Sequence, residues 1–148
     1  MKTTRKLRSL TAMAAAAVAL STVGATVSTG TANATTGFDF TFNALHSGDC
    51  TMQSGAKWTI NSDGTASFDG TVSSSSGGDA YLMWVELRDS NNAVLTTVFN
   101  NNWYDGKDQG KFAQNLSTKN KKYRWFATGL FDKNLFSLVE HVNIRSHC

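Results

Sequence analysis

The stretch Lys57-Trp58-Thr59-Ile60-Asn61-Ser62-Asp63-Gly64-Thr65-Ala66-Ser67-Phe68 limits the folds open to this chain more than any other. Trp58 and Ile60 alternate with Lys57 and Thr59, and Ala66 and Phe68 alternate with Thr65 and Ser67. A period of two is the spacing at which successive side chains leave a strand on opposite faces. Asp63-Gly64, between the two runs, supplies the positive backbone φ that a tight turn demands. The stretch reads as a β-hairpin, and much of the remaining chain repeats its pattern.

Phe38, Phe40 and Phe42 alternate with polar residues, which predicts a first strand with an aromatic inner face. Residues 50–52 form a brief strand, and the second arm of the hairpin runs to Val72. The serine- and glycine-rich residues 73–79 read as a long hairpin loop. Residues 80–88 are the strongest strand, with Tyr81, Met83, Val85 and Leu87 on one face and Leu82, Trp84, Glu86 and Arg88 on the other. Asp89-Ser90-Asn91-Asn92 has Asx-turn chemistry, and residues 93–99 return as a single strand. Further strands are expected over 111–116, 123–131 and 135–144. In the last of these Glu140 falls in phase with Phe136, Leu138, Val142 and Ile144. From residue 35 onward there is no sustained apolar 3.6-residue period. The pattern predicts an all-β fold, an antiparallel β-sandwich or barrel of about seven to nine strands.

The first 34 residues read differently. Lys2, Arg5, Lys6 and Arg8 precede an uncharged Ala/Val/Leu-rich run, and Ala32-Asn33-Ala34 fits a small-x-small cleavage site. This is the pattern of a cleaved, helical secretory signal peptide, with an apolar run too short for a membrane anchor. Cleavage after Ala34 leaves residues 35–148 as a single secreted β domain. Four of the 14 basic residues and none of the 11 acidic ones lie in the leader, so the remainder carries 10 against 11, a net charge of −1. The basic balance of the whole chain belongs to the leader. A nucleic-acid partner, which needs a basic face, is not expected, nor is membrane association after cleavage.

Cys50 and Cys148 both lie in the exported part, where an even cysteine count predicts a disulfide. With both cysteines committed to that bond, no zinc spacing remains. The loop Asp105-Gly106-Lys107-Asp108-Gln109-Gly110 departs from the calcium-loop pattern and reads as a surface turn. No metal or cofactor is expected.

Signals for catalysis are sparse. No Gly-x-Ser-x-Gly elbow occurs, and His46, His141 and His147 have no local partner that would suggest a triad. Glu86 and Glu140 are the only glutamates, and a pair of acids could serve a small secreted hydrolase. The stronger signal is aromatic. Trp103 and Tyr104 sit among Asn100, Asn101, Asn102 and Asp105. Flat rings beside amides and a carboxylate suit stacking on a sugar or packing on a protein. Trp84 adds to this candidate binding set from its strand.

Gly48-Asp49-Cys50-Thr51-Met52, Trp58-Thr59-Ile60, Asp63 to Val72, and Asp79-Ala80-Tyr81-Leu82-Met83-Trp84 together carry a resemblance. The chain resembles the small secreted β-domain proteins of filamentous actinobacteria, a domain family of unknown function. The resemblance implies secretion from a bacterium and an all-β fold, and it brings no site residues. The leading expectation is a non-enzymatic extracellular binding or interaction module with a glycan or protein ligand. The alternatives are the Glu86/Glu140 hydrolase and a secreted enzyme inhibitor that presents an exposed loop.

Overall fold

The structure, a computed structural model, describes residues 4–8, 35–102 and 108–148. Its strands are β1 (Thr4–Arg8), β2 (Gly37–Thr41), β3 (Leu45–Ser47), β4 (Cys50–Met52), β5 (Lys57–Asn61) and β6 (Thr65–Ser74), followed by β7 (Asp79–Arg88), β8 (Val94–Thr97), β9 (Phe99–Asn100), β10 (Phe112–Leu116), β11 (Tyr123–Leu130) and β12 (His141–His147). They form two antiparallel sheets with open edges, a sandwich instead of a closed barrel. The segments outnumber the expected seven to nine because several are very short, such as β3 and β9.

The opening hairpin forms as its turn chemistry requires. Trp58 of β5 pairs with Phe68 of β6, and Ile60 pairs with Ala66. Gly64 has φ +89°, its N–H donates to the Asn61 carbonyl at 3.1 Å, and Asp63 Oδ1 accepts from Thr65 N and Oγ1 at 2.9 and 2.7 Å. A Cβ at Gly64 would sit 2.8 Å from the Phe131 carbonyl oxygen, so both φ and space reserve the position for glycine.

Each sheet is built on one ten-residue strand with a common plan. In the larger sheet, β6 carries β11 along one edge and the shorter β5 and β4 in succession along the other. In the smaller sheet, β7 carries β12 along one edge and β10 and β8 in succession along the other. Both central strands alternate buried and half-buried residues along most of their length, which the period-two pattern predicts. The inward rows meet in an aromatic core. Trp58 lies edge-on to Phe112 across the two sheets at 5.3 Å between centroids, and Trp125 lies edge-on to Tyr81 at 6.1 Å. Edge-to-face rings are the favoured geometry for such pairs. Trp58 is fully buried, and its indole N–H has no hydrogen-bond partner among the described residues. The Cys50–Cys148 disulfide is present with a Cα–Cα distance of 5.7 Å, and it ties β4 of the larger sheet to the residue that follows β12 of the smaller one.

Four expectations need correction. The Ser/Gly connector is not a hairpin loop, because β6 and β7 belong to different sheets. Each strand has an inward, mainly apolar row to bury, and facing rows across a sandwich cover each other where paired neighbours in one sheet cannot. The crossing is held by Ser74 Oγ, which accepts from the Gly77 N–H at 3.0 Å, and by the Asp79 carboxylate, which accepts from Ser74 and Ser76. The return strand after Asn92 likewise divides: β8 pairs in the smaller sheet and β9 in the larger, with the fully buried Val98 at the crossing.

Third, the final strand does not begin at residue 135. Lys133–Leu138 is a 3-10 helix that starts where Asp132 accepts from the Asn134 N–H at 2.9 Å. A capping carboxylate offers the chain a local alternative to the ladder. Phe136 then stacks on Phe38 at 4.9 Å instead of joining a strand face. Fourth, within the segment expected to be a helical leader, Thr4–Arg8 is extended and pairs with β2. A free edge offers an incoming segment a row of unpaired backbone groups. Residues 9–34, with the apolar run and the cleavage motif, lie outside the described residues.

Candidate functional site

The period-two pattern that buries Tyr81, Met83, Val85 and Leu87 sends Leu82, Trp84, Glu86 and Arg88 to the outer face of the smaller sheet. Antiparallel pairing with β12 sets Arg145 opposite Trp84, Asn143 opposite Glu86 and His141 opposite Arg88. On the other side of β7, Thr97 of β8 lies opposite Glu86. This register creates a polar face around a single carboxylate.

That carboxylate is fully engaged. Arg88 Nη2 lies 2.6 Å from Glu86 Oε2, Asn143 Nδ2 donates to it at 3.2 Å, and Arg145 Nε lies 3.2 Å from Oε1. The Arg88 hydrogen bond, helped by Asn143 and by the charges of Arg88 and Arg145, outweighs partial burial and holds Glu86 below the usual glutamate range. A general acid needs the opposite shift. Glu140 sits where the 3-10 helix gives way to β12, half-buried, with its backbone N–H donating to the Arg88 carbonyl at 2.9 Å.

Beside this network the chain forms a groove of about 450 Å³, lined by Trp84, Thr97, Phe99, Asp108, Gln109 and Arg145 among others. Trp84 Nε1 donates to Asp108 Oδ2 at 2.8 Å, and Asp108 Oδ1 accepts from the Gly110 N–H at 3.3 Å. The carboxylate therefore fixes the indole and the turn together. The Arg145 guanidinium carbon lies 5.7 Å from the centre of the indole, within cation–π range. The Arg145 side chain is 61% exposed, and its terminal nitrogens make no hydrogen bond among the described residues. Phe99 is 45% exposed.

The sequence-derived candidates divide. Trp84 lies in the groove. Asn100 braces the adjoining turn: its N–H donates to the Gln109 carbonyl at 2.7 Å, its Nδ2 to the Lys111 carbonyl at 2.8 Å, and its Oδ1 accepts from the Asn102 N–H. Asn102 is exposed. Trp103, Tyr104 and Asp105 lie outside the described residues. The three histidines are all exposed, and His46 Nδ1 lies 3.0 Å from Thr51 Oγ1. Cys50, Asp79 and Cys148 cluster with metal-ligand spacing, but both sulfurs are held in the disulfide. Arg145, Thr97, Phe99 and Asp108 escaped the reading of the sequence. Only the register of β12 and the crossing at Val98 bring them to Trp84, and neither has a local signature.

A second groove, about 360 Å³, lies in the larger sheet where Gln53 to Lys57 faces Asp69 to Thr71 and Arg124. Its charged groups are already paired, Arg124 Nη2 with the Asp69 carboxylate at 2.6 Å and Lys57 Nζ with Asp39 at 3.3 Å. It presents no aromatic face, and the Trp84 groove is the better candidate.

No curated protein and no solved structure matches the chain. A family model described as a family of unknown function (DUF6294) matches residues 57–148.

Proposed function

The chain thus belongs to a family of unknown function, and from its own geometry we propose that it is a secreted, non-enzymatic binding module that takes an extracellular glycan or protein ligand in the Trp84 groove. The observation that supports this most is the composition of one concavity: an indole held in place by Asp108, a half-exposed phenyl ring at Phe99 and the largely exposed Arg145 guanidinium. Binding sites of this kind pair flat apolar surface with a few placed polar groups. The non-enzymatic part rests on Glu86, whose carboxylate is held ionised and fully coordinated by its neighbours. Export is supported by the leader pattern and by the disulfide, and among the described residues no helix is long and apolar enough to cross a membrane. In the processed protein, residues 35–148, β1 is gone and β2 becomes an edge.

The test is a glycan and cell-wall binding screen of the secreted protein beside Trp84→Ala and Trp103→Ala. Binding that Trp84→Ala abolishes places the site at the groove. Binding lost only in Trp103→Ala moves it to the neighbouring asparagine-rich loop, and equal binding by both variants defeats both locations. Intact mass of the secreted product should correspond to a chain beginning at Thr35.

A further inference from the structure

We infer that the ligand of the Trp84 groove is a carboxylate-bearing sugar, a hexuronate, whose carboxyl group is received by Arg145. The inference rests on the binding-module reading above and adds the chemical class of the ligand. Four charged groups meet at this end of the smaller sheet, and three of them, Asp108, Glu86 and Arg88, are already engaged. Asp108 accepts from Trp84 Nε1 and from the Gly110 N–H. Glu86 lies against Arg88, Asn143 and Arg145. Arg145 is the exception. Its Nε faces Glu86 at 3.2 Å, while its terminal nitrogens make no hydrogen bond among the described residues, and its side chain stays 61% exposed in a groove wall.

Contact with Glu86 on one side and the indole on the other places the guanidinium plane before any ligand arrives. A preplaced planar fork whose terminal donors have no partner among the described residues matches a carboxylate, which accepts two parallel N–H bonds. The rest of the wall favours a sugar over an acidic peptide side chain. Trp84 and Phe99 offer ring surface for the apolar face of a pyranose, and Thr97 and Gln109 offer a hydroxyl and an amide for its hydroxyl groups.

The experiment is calorimetric titration of the secreted protein with an oligogalacturonate and with the same oligosaccharide after chemical reduction of its carboxyl groups. The acidic form should bind about tenfold to hundredfold more tightly, the range expected of a charge-assisted bidentate pair. Arg145→Gln should erase that difference, so that the two oligosaccharides bind alike, and Arg145→Lys should restore only part of it. A thermal melt of each variant confirms that the fold is kept. Equal affinity for both oligosaccharides, lowered in both by Trp84→Ala, would overturn the carboxylate preference and leave the groove as a binding site. Binding of neither, with retention on a protein ligand or on other cell-wall material, would overturn the hexuronate inference. Binding of the acidic form that Trp84→Ala and Arg145→Gln leave intact would overturn both the inference and the groove.

Discussion

Removing the Cys50–Cys148 disulfide should be the most damaging change that leaves the core's apolar side chains in place. The two cysteines are 98 positions apart, so the bond closes most of the β domain into one loop. In the chain-entropy account a loop of this length restricts the unfolded chain by about 4.7 kcal/mol at 25 °C. A domain of this size has roughly 5–15 kcal/mol of stability in total, so the bond accounts for a large share. The geometry adds a reason to expect most of that value. The bond joins β4 in one sheet to the end of β12 in the other, and Cys50 is fully buried. We expect Cys50→Ala/Cys148→Ala to lose about 3–5 kcal/mol in urea unfolding, with a steeper denaturant dependence because the unlinked unfolded chain exposes more surface. Wild-type protein kept reduced should behave like the double variant, which separates the bond from the side chains. A thiol titration of the oxidised protein should find none free. A loss below about 1 kcal/mol with an unchanged slope would refute the reasoning, because a cross-link that constrains the unfolded state cannot leave both quantities untouched.

Three further predictions follow from the core, the turn and the ion network. Trp58→Ala should cost about 3–5 kcal/mol, but Trp58→Phe only about 1–2, because the phenyl ring keeps much of the packing and removes an indole N–H that lacks a partner; equal losses in chemical denaturation would sink that account. Gly64→Val should cost roughly 2–3 kcal/mol, since φ is +89° and a Cβ would press on the Phe131 carbonyl oxygen; a melting temperature within about 2 °C of wild type would contradict it. Glu86 has its pKa depressed in the fold, chiefly by Arg88, so its contribution is present above the ordinary glutamate value of 4.5 and is lost as pH falls through the lower folded value. Asp63 and Asp79 are also depressed, by hydrogen bonds from Thr65 and Ser74 respectively, so the comparison must be made between variants. Glu86→Gln should be less stable than wild type at neutral pH, with the gap narrowing below pH 4.5, and parallel stability curves across the acid range would exclude the assignment.

What could be read from residues alone was whatever is fixed by neighbours in the chain. The Asp63-Gly64 turn, the Asp89 Asx turn and the alternation of β7 depend on contacts within a few positions, and each formed as expected. The 3-10 helix at Lys133–Leu138 has a local cause too, the Asp132 cap, but the apolar spacing of Phe136, Leu138, Val142 and Ile144 imitates a strand and hides it. The connector between β6 and β7 was misjudged for a different reason. Serine and glycine announce a turn but carry no information on whether the following strand pairs beside its predecessor or faces it. The partners of Trp84 were hidden at the same level, because Arg145 becomes its neighbour only through the β7–β12 register.

The groove stands where the chain changes sheets, and the crossing explains its contents. Val98 turns fully inward, and its N–H donates to the Val85 carbonyl at 2.9 Å. With Val98 committed to the core, its neighbours Thr97 and Phe99 are left at the surface on either side of the crossing, and both reach the groove that holds Trp84. The crossing needs room beneath it. Gly129 of β11 pairs with Asn100, and a Cβ there would come within 2.4 Å of Val98 Cγ1 and 2.7 Å of the Phe99 carbonyl oxygen. Phe99 therefore reaches the groove because β11 has no side chain at that one position. Phe99 comes to the groove from the larger sheet and Trp84 and Arg145 from the smaller, and they meet because the segment through Val98 runs from one sheet to the other. On the binding role proposed above, recognition at this groove is tied to the closure of the sandwich itself, since loosening the crossing at Val98 would separate Phe99 from Trp84 and Arg145.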